Sequence, residues 1–150
     1  EYRFIFVGRT DAVPRYYATI RSLMAKYGMR DDRFVFTGAV PNEDLATYYK
    51  TAKAYVSLSE HEGFCVPLVE AMAADLPILA YGTTAIPETL DGAGICFTPK
   101  DLEYAAEVLG MLVYDDKLRN KIISGQRKRL IEFGPASVDA ALQNLLASLT

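Results

Sequence analysis

The stretch from Ser59 to Ala80 constrains the fold more than any other part of the chain. It begins at the end of an apolar run from Ala54, which is typical of a buried strand, and it finishes in a second apolar run, PILAY. Between the two runs, Pro67 suits the first turn of a helix, because the N–H that proline lacks is not needed there. The order strand, loop, helix, strand predicts one unit of a parallel α/β sheet.

The loop of this unit, Glu60 to Cys65, is where we expect chemistry. The free N–H groups and the dipole at the start of a helix attract a phosphate or a carboxylate. Gly63 has no Cβ, so the backbone there can approach a ligand closely. Glu62 stands in the loop, and Glu70 leans back from the helix toward the same mouth. The pattern predicts a nucleotide whose sugar hydroxyls are bound by acidic side chains; the alternative is that both glutamates are merely solvated.

The rest of the chain alternates short apolar segments with stretches at helical spacing. The predicted strands are residues 2–7, 34–36, 54–59, 77–81 and 93–97. Five such strands separated by helices predict an α/β fold with a Rossmann-like parallel sheet and helices on both faces. Ligands bind beyond the carboxyl ends of the strands in such sheets, where Gly8, Gly38, Gly82 and the Glu60 loop fall. Neither G-x-G-x-x-G nor G-x-x-x-x-G-K-[ST] occurs, which disfavours a dehydrogenase and a P-loop NTPase.

Helices alone are predicted after Asp101. Asp101 and Asp115 are the expected N-caps of two amphipathic helices, and a last helix is expected over residues 138–149. The second helix carries six basic residues: Lys117, Arg119, Lys121, Arg127, Lys128 and Arg129. A patch for acidic lipid or nucleic acid is one interpretation, but the acidic balance of the chain favours a solvated helix face.

Composition excludes several classes of protein. A length of 150 residues is that of one ordinary domain with a real core. A net charge of −3 argues against nucleic acid as a partner, because nonspecific binding needs a basic surface. Cys65 and Cys96 match no zinc spacing and are expected as reduced thiols of a cytoplasmic protein. The sequence shows no signal peptide and no apolar run long enough to cross a bilayer.

Glu62 and Glu70, with seven residues between them in E-G-F-x-x-P-x-x-E-A-M-A, resemble the signature of one enzyme family. These are the retaining glycosyltransferases of the GT-B fold, family 4 (glycosyl transferases group 1). Further matching segments follow in the family's order at residues 4–8, 33–38, 45–54 and 86–88. The resemblance implies the C-terminal, donor-binding half of a GT-B fold. It also implies metal-independent transfer, with retention, from a nucleoside diphosphate sugar of UDP or GDP type and with no further cofactor.

The resemblance implies roles for single residues. Glu70 would hold the ribose hydroxyls, and Glu62, the expected catalytic residue, would act at the transferred sugar. The loop and the turn after the second strand would contact the diphosphate and the base: Gly63, Phe64, Cys65 and Val66, and Ala39 with Val40. His61 is expected to be a surface residue.

Two positions depart from the family pattern, which usually has Gly where this chain has Cys65 and Asp75. The side chain of Cys65 is expected beside the phosphate. Asp75 is expected in a left-handed turn at a helix C-terminus, a conformation that Asp adopts at some cost.

The resemblance also implies parts that lie outside this chain. In the family, an earlier strand and helix carry an Arg and a Lys that bind the phosphates, and the acceptor site lies on an N-terminal domain. Residues 1–150 are therefore expected to be a single nucleotide-sugar-binding domain, truncated at its N-terminal edge and inactive alone. The expected partners are the donor and, through the absent domain, an acceptor; any membrane association would belong to the full-length enzyme, peripheral to the inner membrane.

Two other functions stay open. A nucleotide-sugar epimerase of related GT-B fold uses a similar donor site and would be recognised by its products. A non-catalytic nucleotide-binding or interaction module would keep the fold without chemistry, and ligand binding would then survive the change Glu70→Ala.

Overall fold

A computed structural model of the protein describes residues 2–149 and has the predicted α/β fold. The strands are β1 (Phe4–Val7), β2 (Phe34–Gly38), β3 (Tyr55–Ser57), β4 (Ile78–Tyr81) and β5 (Ile95–Phe97). The helices are α1 (Pro14–Lys26), α2 (Asn42–Thr51), α3 (Val66–Ala73), α4 (Ile86–Leu90), α5 (Leu102–Tyr114), α6 (Asp116–Glu132) and α7 (Pro135–Ala147). In the described part of the chain, no helix is long and apolar enough to cross a membrane.

The chain divides into two compact units, and the boundary lies between Thr47 and Tyr48, inside α2. In the first unit β1 and β2 form a parallel pair, with Phe4 opposite Phe34. In the second unit the strands are again parallel, in the order β3-β4-β5. The α/β class and the parallel pairing are confirmed, but the described strands pair as two sheets and not as one continuous sheet.

Helices cover both faces of the three-stranded sheet. Ile78 and Ala80 of β4 pack in one cluster with α3 and α4, whereas Leu79 packs in another cluster with α5. Successive residues of a strand point to opposite faces, so the short strand β4 contributes to two cores at once. The predicted helical layers on both faces are therefore confirmed for this sheet.

The first unit is packed more loosely. All four residues of β1 are exposed, including Phe4 at 49%, although the strand is entirely apolar. The aromatic rings of β1 and β2 stack along one face, and Tyr17 of α1 meets Phe36 edge-on at 5.3 Å between ring centroids. Parallel sheets are normally buried on both faces, so the exposure of β1 is unusual for an apolar strand.

The helix ends follow the local sequence signals. Asp101 accepts hydrogen bonds from two backbone N–H groups of the helix that follows, and Asp115 accepts one, so both predicted caps are confirmed. The last helix begins at Pro135, three residues before its predicted start, because Gly134 is its extended N-cap and proline suits the first turn.

The turn after α3 has the expected left-handed residue. Asp75 has a φ of 55°, and its N–H bonds to the carbonyl of Met72 while the N–H of Leu76 bonds to the carbonyl of Ala71. This is the Schellman arrangement that satisfies the last carbonyls of a helix. The carboxylate of Asp75 accepts two hydrogen bonds of 2.7 Å from Arg127 on α6, and both side chains remain exposed to solvent.

Candidate functional site

Three connections follow the carboxyl ends of the parallel strands β3, β4 and β5, and hydrogen bonds join them at one edge of the sheet. The loop after β3 is the acidic segment that the sequence predicts as the site. The Thr83 hydroxyl of the second connection donates to the carbonyl of Glu60 at 3.5 Å. Lys100 of the third connection donates to a Glu60 carboxylate oxygen at 2.7 Å and to the carbonyl of Leu58 at 3.1 Å. The acidic loop is therefore held from two sides.

Lys100 is a cation that sequence reasoning missed. Its ammonium group also lies 5.2 Å from the centroid of the Tyr81 ring, and its hydrogen bond lowers the pKa of the Glu60 carboxyl. No motif marks Lys100, because its partners lie 40 and 42 residues away in the chain. It places a positive charge next to the acidic loop at the edge where ligands bind in α/β sheets.

The N-terminus of α3 is uncapped by any side chain of residues 2–149. Cys65 occupies the N-cap position in a left-handed conformation, with φ 66° and ψ 65°, and Pro67 lies in the first turn as predicted. Among the hydrogen bonds of the described chain, none uses the N–H of Gly63, Phe64, Cys65 or Val66. Four successive donors at the positive end of a helix dipole form an arrangement that suits an anion.

The backbone at Gly63 is open on the side of its absent Cβ, whereas Cys65 is turned inward. A Cβ added at Gly63 would meet no heavy atom within 4 Å. Cys65 is only 5% exposed and belongs to the core cluster that contains Leu68. The expectation that the side chain of Cys65 stands beside a bound phosphate is therefore wrong: the left-handed residue packs its side chain into the core. Burial, followed by the charge of Glu62, raises the pKa of this thiol.

Glu70 is half-buried on α3, and its side chain has a defined partner. The hydroxyl of Tyr49, near the end of α2, donates to Glu70 Oε2 at 2.9 Å. Burial and this hydrogen bond raise the pKa of Tyr49 above its usual range. Sequence reasoning missed Tyr49, because the sequence shows only two adjacent tyrosines, Tyr48 and Tyr49, and nothing in it distinguishes them.

Glu62 and Glu70 act on a shared neighbour, the half-buried Tyr55 of β3. The pKa of Tyr55 is raised by burial and then by the charges of Cys65, Glu62 and Glu70. The backbone N–H of Glu62 donates to Thr84 Oγ1 at 2.9 Å. Both predicted carboxylates thus influence the ionisation of one tyrosine, Tyr55.

Phe64 is fixed by two contacts from later helices. Its carbonyl accepts a hydrogen bond of 2.7 Å from the buried hydroxyl of Thr89, and its ring meets Phe133 edge-on at 5.6 Å between centroids. Arg129 of α6 donates to the carbonyls of Thr89 and Glu88 and also covers the Phe133 ring. These residues orient the backbone next to the uncapped N–H groups. No short sequence motif predicts their role.

The remaining predicted residues lie elsewhere. Ala39 and Val40, the expected contacts of the base, belong to the first unit, where Ala39 is exposed and Val40 is half-buried. They follow Gly38, which has a φ of 71°. His61 is exposed in the acidic loop, as expected. Among residues 2–149 no group of three or more His, Cys, Asp and Glu side chains is placed to hold a metal ion.

Comparison with known proteins gives a consistent result. The family model described as "Glycosyl transferases group 1" matches residues 1–129. The O-antigen chain mannosyltransferase B of Escherichia coli is 31% identical over 96 residues, which are 64% of this chain and 25% of that protein. The chain therefore spans about a quarter of the length of this relative.

Solved structures agree on the fold. Sucrose-phosphate synthase from Thermosynechococcus elongatus superposes with a TM-score of 0.78 at 25% identity, over 97% of this chain and 38% of that one. HepE of Anabaena, solved in complex with UDP-glucose, superposes with a TM-score of 0.82 at 20% identity, over 97% of this chain and 41% of that one. The parallel sheets flanked by helices match in fold the C-terminal domains of GT-B glycosyltransferases.

Proposed function

The chain belongs to the glycosyl transferases group 1 family, and on that premise we propose that it is the donor-binding domain of a retaining, metal-independent glycosyltransferase of family 4. In this proposal the donor is a nucleoside diphosphate sugar, and the sugar passes to an acceptor with retention of configuration. The observation that carries the proposal is the start of α3, where no side chain caps the helix and the preceding N–H groups are unused, with Glu62 in the loop before it and Glu70 on the helix itself.

The proposed contacts follow from the chemistry of each group. The N–H groups of Phe64, Cys65 and Val66 bind the diphosphate, because they are unused donors at the positive end of a helix. Glu70 accepts hydrogen bonds from the ribose hydroxyls, and Tyr49 holds it in place for this task. Glu62 lies at the transferred sugar.

The proposed reaction breaks the bond between the anomeric carbon and a diphosphate oxygen. The electron pair leaves with the diphosphate, and the N–H groups of α3 stabilise the charge that develops there, as the donors of an oxyanion hole do. The carboxylate of Glu62 stabilises the positive charge on the sugar ring. The acceptor hydroxyl forms the new bond on the same face and passes its proton to the departing diphosphate.

The relatives suggest the kind of donor. A mannosyltransferase at 31% identity supports a hexose as the transferred sugar. The complex of HepE with UDP-glucose supports a nucleoside diphosphate donor. We propose that Ala39 and Val40 contact the base through their backbone and that UDP and GDP are the two candidate leaving groups.

We also propose that residues 1–150 are a single nucleotide-sugar-binding domain of a two-domain enzyme. The O-antigen chain mannosyltransferase B is about four times as long as its matched part. In addition, β1 exposes apolar side chains that a parallel sheet normally buries. Both facts are consistent with further protein that covers β1 and carries the acceptor site. In this proposal the isolated chain binds a donor but does not transfer its sugar, and efficient transfer by the isolated chain would contradict it.

Calorimetric titration with UDP and with GDP tests the donor site. We expect one of the two nucleotides to bind, and we expect Glu70→Ala to weaken binding by about 10-fold or more, since a hydrogen bond to a charged group contributes about 1.5–3 kcal/mol. The matched control is Glu107→Ala, which removes an exposed carboxylate from α5 and should bind as the wild type does.

The outcomes separate the alternatives. Unchanged affinity in Glu70→Ala would refute the donor-site assignment and favour a module that keeps the fold for another purpose. If the isolated chain binds neither nucleotide at millimolar concentration, the same titration is made on the full-length protein, and failure there refutes the proposal. Formation of an epimerised nucleotide sugar instead of a glycoside by the full-length protein would indicate an epimerase.

A further inference from the structure

Thr84, in the connection between β4 and α4, has an unusual backbone. Its φ is 48°, in the left-handed region. A β-branched residue is an outlier there, because its two γ atoms crowd the backbone. Glycine would adopt the same conformation at little cost. The chain therefore carries local strain at this exposed position, and such strain persists only where the surrounding contacts hold it.

The surrounding contacts hold this connection on both sides. The Thr98 hydroxyl donates to the carbonyl of Gly82 at 3.1 Å, and the N–H of Ile86 bonds to the carbonyl of Thr83 at 3.1 Å. A Cβ at Gly82 would lie 3.1 Å from Thr98 Oγ1, so the two connections are in close contact. Thr84 lies between these hydrogen-bonded residues.

The hydroxyl of Thr84 has a specific partner. Thr84 Oγ1 accepts a hydrogen bond of 2.9 Å from the backbone N–H of Glu62. Five residues later, Thr89 donates to the carbonyl of Phe64 at 2.7 Å. The two threonines therefore hold the backbone on either side of Gly63, the residue with the greatest conformational freedom in the loop.

Stability alone does not account for this threonine. A hydrogen bond contributes about 0.5–1.5 kcal/mol to stability, and the left-handed conformation of a residue with a side chain costs about 1–2 kcal/mol. The two effects are of similar size and opposite sign. What the hydroxyl adds, and glycine could not, is a fixed orientation of the backbone at Glu62.

We propose that Thr84 is a positioning residue that directs the carboxylate of Glu62 toward the transferred sugar of the donor. The inference rests on the proposed function, in which Glu62 acts at that sugar and Glu70 at the ribose. Thr84 acts through its hydrogen bond to the backbone of Glu62. Its loss should weaken the contribution of the sugar to binding and should leave the binding of the nucleotide alone unchanged.

The experiment compares the affinity for the nucleotide with the affinity for the corresponding nucleotide sugar, in whichever form of the protein binds nucleotide. The probes are UDP with UDP-glucose, or GDP with GDP-mannose. The variants are Thr84→Gly, which removes the strain and the hydroxyl, and Thr84→Ser, which keeps the hydroxyl. The quantity compared is the affinity for the nucleotide sugar divided by the affinity for the bare nucleotide. We expect Thr84→Gly to lower this ratio by about tenfold and Thr84→Ser to leave it unchanged.

Two further measurements exclude a merely structural role. Thermal unfolding should show that Thr84→Gly is about as stable as the wild type, so its binding defect cannot come from unfolding. The double variant Glu62→Gln with Thr84→Gly should show no greater loss than Glu62→Gln alone, because residues that act through one another are not additive.

Each outcome is decisive. An unchanged affinity ratio in Thr84→Gly, or a loss that adds fully to that of Glu62→Gln, would overturn the inference while Glu70→Ala still reports on the donor site. Equal loss of bare nucleotide and nucleotide sugar in Thr84→Gly would also overturn it, since that pattern indicates general disturbance of the loop. Binding of neither ligand by any form of the protein would instead refute the proposed function.

Discussion

Glu70 and Glu62 both influence the pKa of Tyr55, but different kinds of structure carry them. Glu70 projects from α3, whose residues Leu68 and Met72 are fully buried, and its carboxylate accepts a hydrogen bond from Tyr49. Glu62 lies in a loop, and the contact that orients its backbone comes from an exposed threonine in a strained conformation.

This difference predicts how the two sides of the site respond to change. The position of Glu70 depends on apolar burial, which contributes several kcal/mol through α3. The position of Glu62 depends on a few polar contacts, each worth about 0.5–1.5 kcal/mol. Changes under α3 should therefore affect unfolding and binding together, whereas changes around the loop should affect binding with little effect on unfolding.

The largest expected effect is on the helix side, at Leu68. Leu68→Ala should lower the free energy of unfolding by about 2–5 kcal/mol, because it leaves a cavity in a fully buried position. Val66→Ala, at a position 56% exposed on the same helix, is the matched control and should cost far less. Urea unfolding of both variants measures this difference. Equal losses of unfolding free energy would show that the buried side chain of Leu68 does not hold α3 in place.

Cys65 joins the two sides, and its variants separate strain from packing. Cys65→Ala keeps the left-handed strain and removes the buried sulfur, while Cys65→Gly also removes the strain. We expect Cys65→Gly to be more stable than Cys65→Ala by about 1 kcal/mol, since the left-handed conformation costs residues with a Cβ about 1–2 kcal/mol. Thermal unfolding decides; an alanine variant as stable as the glycine variant would show that the φ of 66° stores no strain.

Tyr49→Phe tests the side-chain contact that distinguishes Glu70 from Glu62. Loss of the hydroxyl should weaken nucleotide affinity by about fivefold and lower the free energy of unfolding by about 1 kcal/mol, because one hydrogen bond contributes about that much. Tyr48→Phe, one residue earlier on α2, is the control and should bind normally. If both variants bind as the wild type does, Tyr49 does not orient Glu70 for the ligand.

Alkaline titration, followed by tyrosine absorbance, tests the surroundings of Glu70 by their pH dependence. The pKa values of Tyr49 and Tyr55 lie above the ordinary value of about 10, chiefly because of burial. The folded state thus retains these protons at pH values where the unfolded chain loses them, so their stabilising contribution is complete below about pH 10 and declines as the pH rises further. Tyr49→Phe and Tyr55→Phe should each remove part of the late-titrating absorbance, and normal titration of all tyrosines in the wild type would contradict this.

The smallest effect is expected at the far end of α3, at Asp75. The hydrogen bonds from Arg127 lower the pKa of the Asp75 carboxyl, so the pair contributes stability above the unfolded-state pKa of about 4 and loses it as the pH falls further. Both side chains are largely exposed, and solvent screening makes the contribution small. The difference in stability between wild type and Asp75→Asn should shrink between pH 6 and pH 3; a constant difference would assign the effect to the left-handed backbone.

Local signals in the sequence determined a large part of this protein. The proline-led helix α3, the caps Asp101 and Asp115, and the left-handed turn at Asp75 were all predicted, because each depends on the backbone of a few neighbouring residues. The sequence also predicted that Glu62 lies in the loop and Glu70 in the helix that follows it, as the structure has them.

Only the tertiary structure decided which residues hold the two carboxylates and how the strands pair. Tyr49, Thr84 and Thr89 meet their partners across 21, 22 and 25 residues of chain, and Lys100 meets Glu60 across 40. Contacts of this kind form when packed helices and strands bring side chains together, so no short motif records them. The burial of Cys65 and the division into two sheets have the same origin, since burial and strand pairing depend on which distant segments pack against each other.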